Sequence, residues 1–320
     1  MKPVIYVTRK IPEELLQPYK EYAEFRMWES ETEPVPRDVL LKEAKDVDGV
    51  LCLLTEQIDS DFFRAAGKLK VVANMAVGFD NIDVQAAKEH GVVVTNTPDV
   101  LTETTADLTF ALLMATARRI VEAADYIRDG KWENWAPYLL AGADVYGKKI
   151  GIVGMGRIGE AVARRASGFN MPILYHNRSR KDTAEQELGA KYLEFNQLLK
   201  EADFVVSLVP LTNETKQLFN KEAFQQMKES AVFINASRGT TVDEGALYDA
   251  LLNRQIRAAG LDVFEREPIS PDHPLVQLDN TVCLPHIGSA SEETRSRMIN
   301  LCLDNLTAVL GGDAPITPVH

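Results

Sequence analysis

The chain has 320 residues, enough for two domains that each bury a core of their own. Its 47 acidic side chains outnumber the 35 basic ones, and the formal net charge of -12 argues against binding to nucleic acid or to an anionic membrane surface. An anionic ligand would have to be held by a local group of cations.

The three cysteines, Cys52, Cys283 and Cys302, are too few and too scattered for a disulfide framework, and their spacing does not match a metal site. We therefore expect no metal. The opening sequence MKPVIYVTRK contains an apolar run too short for a signal peptide, and no stretch is long enough to span a membrane. These features favour a cytoplasmic protein without membrane contacts.

Strand-like and helix-like patterns alternate along the chain, which is typical of parallel sheets covered by helices. A long amphipathic helix is predicted from about Thr102 to Arg119, with Leu108, Leu112 and Ala115 on its apolar face. The predicted strands before it are 4–8, 25–28, 50–54, 71–75 and 92–95, and those after it include 173–175, 204–209, 232–236, 259–263 and 282–284. The expected fold class is α/β, with two doubly wound, Rossmann-like lobes and a cleft between them.

The final predicted helix, about 292–310, follows the last strand of the second lobe, so we expect it to return to the first lobe. This places the domain boundaries at 1–99 with 287–320 for one lobe and at 100–286 for the other.

The stretch Lys148 to Phe169 contains the motif Gly154-x-Gly156-x-x-Gly159 between an apolar run and a helical pattern. The first glycine permits a tight turn, the second allows a pyrophosphate to approach the backbone, and the third allows the helix to pack on the sheet. N–H groups at the start of the helix would then face the phosphates. The context predicts a dinucleotide-binding turn.

Polar side chains follow three predicted strands of the second lobe. Arg238 follows strand 232–236, Glu265 and Glu267 follow strand 259–263, and His286 follows strand 282–284. Ligands of open α/β sheets bind beyond the carboxyl ends of the strands, so these residues could supply an anion clamp, a carboxylate and a proton donor. The other four histidines lack such a setting.

The order and spacing of four motifs resemble those of D-isomer-specific 2-hydroxyacid dehydrogenases, particularly the glyoxylate/hydroxypyruvate reductases. The motifs are the glycine turn, Ser237-Arg238-Gly239, Asp262-Val-Phe-x-x-Glu267-Pro268 and Pro285-His286-Ile-Gly288-Ser289. The resemblance extends over essentially the whole chain and includes Ala76-Val-Gly78-Phe-Asp80-Asn-Ile-Asp83.

The resemblance implies that the lobe containing both chain ends binds substrate and that 100–286 binds the dinucleotide. It also implies that Arg238 binds a small anionic 2-oxo acid, that Glu267 pairs with His286, and that His286 protonates the carbonyl group. Expected substrates are glyoxylate, hydroxypyruvate or a sugar-derived acid such as 2-ketogluconate, reduced to D-2-hydroxy acids. The expected substrate contacts are Leu54, Val77, Gly78, Arg238, His286 and Ser289.

The same resemblance implies a homodimer formed through an arm at about 120–147, where Trp132, Trp135 and Tyr138 form an aromatic cluster typical of interfaces. The expected cofactor contacts are Thr105, Gly154, Met155, Gly156, Arg157, Ile158, Gly159, Asn177, Arg178, Ser179, Arg180, Val209, Pro210, Thr215, Ala236, Ser237, Asp262 and Gly288.

The segment after the second strand of the dinucleotide lobe predicts the choice of nucleotide. NAD enzymes of this fold usually carry an acidic residue there, but this chain has Asn177, Arg178, Ser179 and Arg180. A neutral amide followed by two cations suits the 2′-phosphate of NADP. We therefore expect a preference for NADPH, with NAD as an open alternative.

Two other functions share these motifs. One is that of a phosphoglycerate or formate dehydrogenase, against which the absence of an extra domain and the Gly288-Ser289 pair both argue. The other is that of a nucleotide-sensing corepressor that uses this fold to bind peptides, against which the lack of a long disordered tail argues.

Overall fold

The computed structural model describes residues 2–319, which divide into two compact units. One unit comprises the chain up to Leu101 and from Ala290 onward, and the other comprises Thr102–Ser289.

All pairings between the named strands are parallel, as expected for strands that alternate with helices. The strands are β1 (Val4–Val7), β2 (Glu24–Met27), β3 (Gly49–Cys52), β4 (Val71–Asn74), β5 (Val93–Thr95), β6 (Ile150–Val153), β7 (Ile173–His176), β8 (Lys191–Tyr192), β9 (Phe204–Ser207), β10 (Val232–Asn235), β11 (Ala258–Leu261) and β12 (Thr281–Cys283).

The α-helices are α1 (Glu13–Leu16), α2 (Arg37–Glu43), α3 (Ser60–Ala65), α4 (Val84–Glu89), α5 (Thr102–Ala117), α6 (Ile120–Arg128), α7 (Arg157–Ser167), α8 (Asp182–Leu188), α9 (Phe195–Glu201), α10 (Lys221–Gln226), α11 (Glu244–Leu252) and α12 (Glu292–Gly311). Within residues 2–319, no helix is both long and apolar enough to cross a membrane.

The first unit contains a five-stranded sheet in the order β2-β1-β3-β4-β5. Its inner strands β3 and β4 are wholly buried, which explains their continuous apolar runs. Helix α12 packs against β3 and β4, where the absence of a side chain at Gly49 leaves room for Leu306 and Leu310. The last helix is therefore part of the first unit.

The second unit contains a seven-stranded sheet in the order β12-β11-β10-β9-β6-β7-β8. From β6 the chain continues to β7 on one side, whereas β9 pairs with β6 on the other side, so the strand order reverses at β6. Ligands of doubly wound sheets bind beyond the strand ends at such a reversal. The two parallel sheets with flanking helices confirm the predicted fold class.

Helix α5 differs from its prediction in its buried face. Leu108 and Ala115 are only partly buried, whereas Thr105, Thr109 and Thr116 are buried. The hydroxyl groups of Thr109 and Thr116 donate to the helix's own carbonyl groups four residues earlier, at 2.7 and 2.8 Å, so these polar side chains can be buried at little expense. The buried face of α5 combines these threonines with apolar residues such as Phe110 and the predicted Leu112, so apolar periodicity alone could identify only part of it.

Candidate active site

The glycine turn joins β6 to α7 with the geometry that each glycine allows. Gly154 has φ of +104°, and a Cβ there would lie 2.7 Å from the carbonyl carbon of Leu208. A Cβ at Gly159 would overlap the carbonyl oxygen of Gly154. At Gly156, by contrast, a Cβ would have no atom within 4 Å apart from those of the residue itself and its two chain neighbours, so the space above this residue is open.

These features fit a dinucleotide. The turn lies at the carboxyl end of β6, where the strand order reverses, and the eleven-residue helix α7 begins at Arg157 directly behind the open space. Amide N–H groups in the first turn of a helix have no carbonyl partner within that helix and favour an anion such as a pyrophosphate. The residues present could therefore hold the phosphates of a nicotinamide dinucleotide.

The imidazole of His286 is hydrogen-bonded to Glu267, with 2.7 Å between Nδ1 and Oε2. His286 follows β12 in a left-handed backbone conformation, with φ of +53°. Its side chain is 28% exposed and that of Glu267 is 35% exposed, so a ligand can reach both groups. Because Nδ1 is used by Glu267, Nε2 is the nitrogen able to exchange a proton with a ligand.

Glu267 is held in its ionised form. Burial alone would raise the pKa of this carboxyl group, and the hydrogen bond and charge of His286 act against burial by lowering that pKa. The N–H of Phe264, which donates to Oε1 at 3.0 Å, and the positive charge of Arg238 act in the same direction. The pKa of Glu267 therefore lies below its usual value.

Asp262 supports the loop that carries His286. This carboxylate is only 1% exposed, and it accepts the backbone N–H of Ile287 at 2.8 Å and that of Gly288. Burial raises the pKa of Asp262 despite these two hydrogen bonds and the charge of His286. These contacts position the histidine loop, and the expected contact of Asp262 with the cofactor stays a prediction.

Arg238 follows β10 in a turn that packs against the loop of Glu267. A Cβ at Gly239 would overlap the carbonyl carbon of Phe264, so only glycine permits this approach. The side chain of Asn235, at the buried end of β10, donates to the carbonyl oxygen of Arg238 at 3.0 Å. The structure thus brings together the three predicted catalytic residues, Arg238, Glu267 and His286.

In the basic segment after β7, Arg178 and Arg180 were both expected to bind the 2′-phosphate of NADP, but their surroundings differ. Arg180 donates to both carboxylate oxygens of Glu185 at 3.0 and 2.5 Å, and its guanidinium lies 6.0 Å from the centre of the Tyr192 ring. The hydrogen bond and charge of Glu185 raise the pKa of Arg180. Arg178 and Ser179 are exposed. The charge of Arg180 is thus compensated by a carboxylate inside α8, which leaves Arg178 as the main candidate for a 2′-phosphate.

The other predicted cofactor contacts differ in burial and in the hydrogen bonds of their side chains. The side chain of Met155 is fully buried in the core of the second unit, so Met155 can offer a ligand only its backbone. Thr215 donates to the carbonyl oxygen of Pro210 at 2.6 Å, and Ser237 donates to Asn235 Oδ1 at 2.8 Å. The rest, Thr105, Arg157, Ile158, Asn177, Val209, Ala236 and Gly288, lie in α5, α7 or loops after the strands of the second unit.

In the first unit, the predicted substrate contacts Leu54, Val77 and Gly78 lie in loops after β3 and β4. The carbonyl oxygen of Ala76 accepts the N–H of Thr97, and that of Val77 accepts the side chain of Asn96, both at 2.8 Å. In a trans peptide the C=O and N–H groups point in opposite directions, so the N–H groups of Val77 and Gly78 point away from these partners. Two adjacent N–H groups of this kind could bind a carboxylate. Ser289 is the last residue of the second unit.

Sequence reasoning assigned no role to the asparagines that end two buried strands. Asn74 ends β4 and Asn235 ends β10, and both are at most 1% exposed. Each side chain donates to the loop that follows, reaching Gly78 and Arg238 respectively. A polar residue closing an otherwise apolar run was the available signal, because a buried amide must find partners nearby.

The chain is similar to known proteins of one enzyme family. A family model described as the NAD-binding domain of D-isomer specific 2-hydroxyacid dehydrogenases matches residues 110–288, more than half of the chain. A glyoxylate reductase of Korarchaeum cryptofilum is 52% identical over 316 residues, covering 98% of this chain and 95% of the relative. A glyoxylate reductase of Thermococcus onnurineus is 50% identical over 324 residues, covering 100% and 96%.

A solved structure is similar to this chain in both fold and sequence. The NADPH-dependent glyoxylate/hydroxypyruvate reductase of Sinorhizobium meliloti, in complex with NADP and malonate, has a TM-score of 0.87 and 36% sequence identity. The similarity covers 100% of this chain and 97% of that chain.

Proposed function

Because the chain belongs to the D-isomer-specific 2-hydroxyacid dehydrogenase family, we propose that it reduces glyoxylate and related small 2-oxo acids to D-2-hydroxy acids, with NADPH as the preferred cofactor. The observation that carries the proposal is the hydrogen bond of His286 to Glu267, beside Arg238. The names of the relatives support glyoxylate as the first candidate substrate. Hydroxypyruvate and 2-ketogluconate are further candidates.

The reaction assigns a task to each of the three residues. Reduction of a 2-oxo acid adds a hydride to the carbonyl carbon and a proton to the carbonyl oxygen, where negative charge develops. His286 donates that proton from Nε2, and Glu267 holds the ring by its hydrogen bond to Nδ1. Arg238 binds the anionic substrate and stabilises the developing charge.

The nicotinamide cofactor supplies the hydride when it is bound. We assign its phosphates to the glycine turn and the start of α7, with Thr105, Val209, Pro210, Thr215, Ala236, Ser237 and Gly288 as further candidate contacts. Among the side chains that follow β7, Asn177, Arg178 and Ser179 favour the 2′-phosphate of NADP, because no carboxylate occupies the positions directly after the strand. NAD binding stays compatible with the same turn.

In the first unit, the proposal assigns the carboxylate of the substrate to the N–H groups of Val77 and Gly78, with Leu54 beside it. The unit that holds both chain ends is thus the substrate domain, and Thr102–Ser289 is the dinucleotide domain. The three cysteines are free, which suits a cytoplasmic location.

We also propose that two copies associate through the segment 120–147. Trp132, Trp135 and Tyr138 are 60%, 78% and 88% exposed, which is unusual for three large aromatic side chains in one segment. A cavity of about 710 Å³ lies beside α6 and includes Val121, Ala141 and Leu278 in its lining. A second copy would bury both features.

A turnover assay tests the proposal. The purified chain is mixed with NADPH or NADH and with glyoxylate, hydroxypyruvate or 2-ketogluconate, and cofactor oxidation is followed by absorbance. The expected result is turnover of glyoxylate with a higher kcat/KM for NADPH than for NADH. Absence of turnover with every 2-oxo acid and both cofactors would overturn it.

A further inference from the structure

We infer that Asn81 is a positioning residue for the 2-oxo acid, because its carboxamide links the two loops of the first unit that carry Leu54 and Val77–Gly78. Asn81 Nδ2 donates to the carbonyl oxygens of Leu53 and Glu56, at 3.0 and 3.1 Å. Its Oδ1 accepts a hydrogen bond from Asn74 at 3.2 Å. The inference rests on the proposed function, which assigns the substrate carboxylate to these loops.

The connection reaches Gly78 through Asn74. The buried amide of Asn74 donates to the carbonyl oxygen of Gly78 at 2.9 Å as well as to Asn81. A continuous set of hydrogen bonds therefore runs from the loop after β3, through two side-chain amides, to the loop after β4. Neither loop can shift by much without breaking a bond in this set.

Both ends of the connection are themselves fixed. The backbone carbonyl of Asn81 accepts the N–H of Ile58 at 2.9 Å, and the buried carboxylate of Glu56 accepts the N–H of Leu53 at 2.9 Å. Glu56 also accepts the hydroxyl of Thr8 at 2.6 Å and lies 3.3 Å from Arg9 Nη2. The loop of Leu54 is thus anchored to β1 on one side and to Asn81 on the other.

The orientation of the Asn81 amide is dictated by its partners. Two carbonyl oxygens require a donor, so Nδ2 must face them. Asn81→Asp keeps the shape of the side chain but sets a carboxylate against those oxygens, which breaks the side-chain link between the two loops while the backbone bond from Ile58 stays. Asn81→Ser keeps one donor on a shorter side chain and should link them only weakly.

The experiment measures KM for glyoxylate, kcat, and the Kd of NADPH for the wild type, Asn81→Asp, Asn81→Ser and a control. The control is Gln85→Ala, which removes an amide from the exposed surface of α4 in the same unit. Loss of the link should raise KM for glyoxylate about tenfold in Asn81→Asp and less in Asn81→Ser, with the Kd of NADPH changed by less than about twofold. The control should match the wild type.

A purely structural role predicts a different pattern, because partial unfolding lowers kcat by reducing the active fraction while KM stays constant. Wild-type KM in both variants, or lower kcat at constant KM, would overturn the inference while the proposed function stands. If Asn81→Asp does not fold, the KM of Asn81→Ser for glyoxylate tests the inference: a raised KM supports it, and a wild-type KM overturns it. A wild-type chain that reduces no 2-oxo acid would refute both proposals.

Discussion

At the residue scale, the pairing of His286 with Glu267 determines which imidazole nitrogen is available for proton transfer. The 2.7 Å hydrogen bond to Glu267 occupies Nδ1 of His286. The buried carboxylate of Asp262 accepts a backbone N–H of the same loop, that of Ile287. The two carboxylates thus have different tasks: Glu267 positions the imidazole ring, and Asp262 positions the backbone of the histidine loop. The ionised state of Glu267 is maintained because its pKa is lowered.

The first prediction concerns the pH dependence of reduction. Glu267 stays ionised until the pH falls below the usual carboxyl range, so the wild type should keep reducing substrate through mildly acidic pH and lose this activity only where Glu267 gains a proton. Glu267→Gln keeps the shape of the side chain but removes its charge and its titration, so kcat/KM should be lower than in the wild type and should lack this acid limb. A profile that coincides with that of the wild type would assign the role of Glu267 to another carboxylate.

The second prediction separates the two arginines that follow β7. Because Arg180 is paired with Glu185, Arg178→Ala should weaken NADPH binding by about 1 kcal/mol or more, and Arg180→Ala should weaken it less. NADH binding should hardly change in either variant. The measurement is the Kd of both cofactors by fluorescence titration. Equal losses for NADPH and NADH would show that the segment has only a structural role.

At the element scale, the sequence predicted the positions of the strands better than the faces of the helices. Continuous apolar runs such as those of β6 and β10 could be identified because buried parallel strands need no polar alternation. The face predicted for α5 was right at Leu112 but missed the buried threonines, whose hydroxyl groups bond to carbonyl groups of the same helix. The pairing of Arg180 with Glu185 and the links made by Asn74 and Asn81 depend on contacts that only the folded chain shows.

The third prediction tests the contact between two loops of the site. Gly239→Ala places a methyl group against the backbone of Phe264, which cannot move aside, so it should lower stability by about 1–3 kcal/mol and decrease kcat. Gly245→Ala in α11 is the matched control, since its Cβ would be 3.4 Å from the nearest atom. Denaturant unfolding and steady-state kinetics measure both effects. A Gly239→Ala variant with wild-type stability and kcat would show that this approach is not required.

At the scale of the whole molecule, the formal charge of -12 opposes the binding of an anionic substrate and an anionic cofactor. We propose that the chain compensates locally, with Arg238 near Glu267 and His286 and with the N–H groups of the glycine turn and α7. Such local groups act over short distances, whereas repulsion between distant exposed charges is weakened by salt. We therefore attribute anion binding to the site itself.

The fourth prediction is that the protein is a dimer in solution. Trp135→Ala combined with Tyr138→Ala should raise the dimer dissociation constant at least about tenfold, because exposed aromatic residues are frequent anchors of interfaces. Tyr22→Ala, which removes an exposed aromatic side chain of the first unit, should leave the dimer intact. Light scattering over a range of concentrations measures the mass. A fully active wild-type monomer at micromolar concentration would contradict this proposal.

Proton donation by His286 is tested by the rate of NADPH oxidation by glyoxylate for the wild type and for His286→Ala. Loss of the proton donor should reduce kcat by about a hundredfold or more, while NADPH still binds, because the cofactor contacts proposed here do not include this side chain. That result would place proton transfer at the ring held by Glu267. A His286→Ala variant that reduces glyoxylate at the wild-type rate would contradict the account.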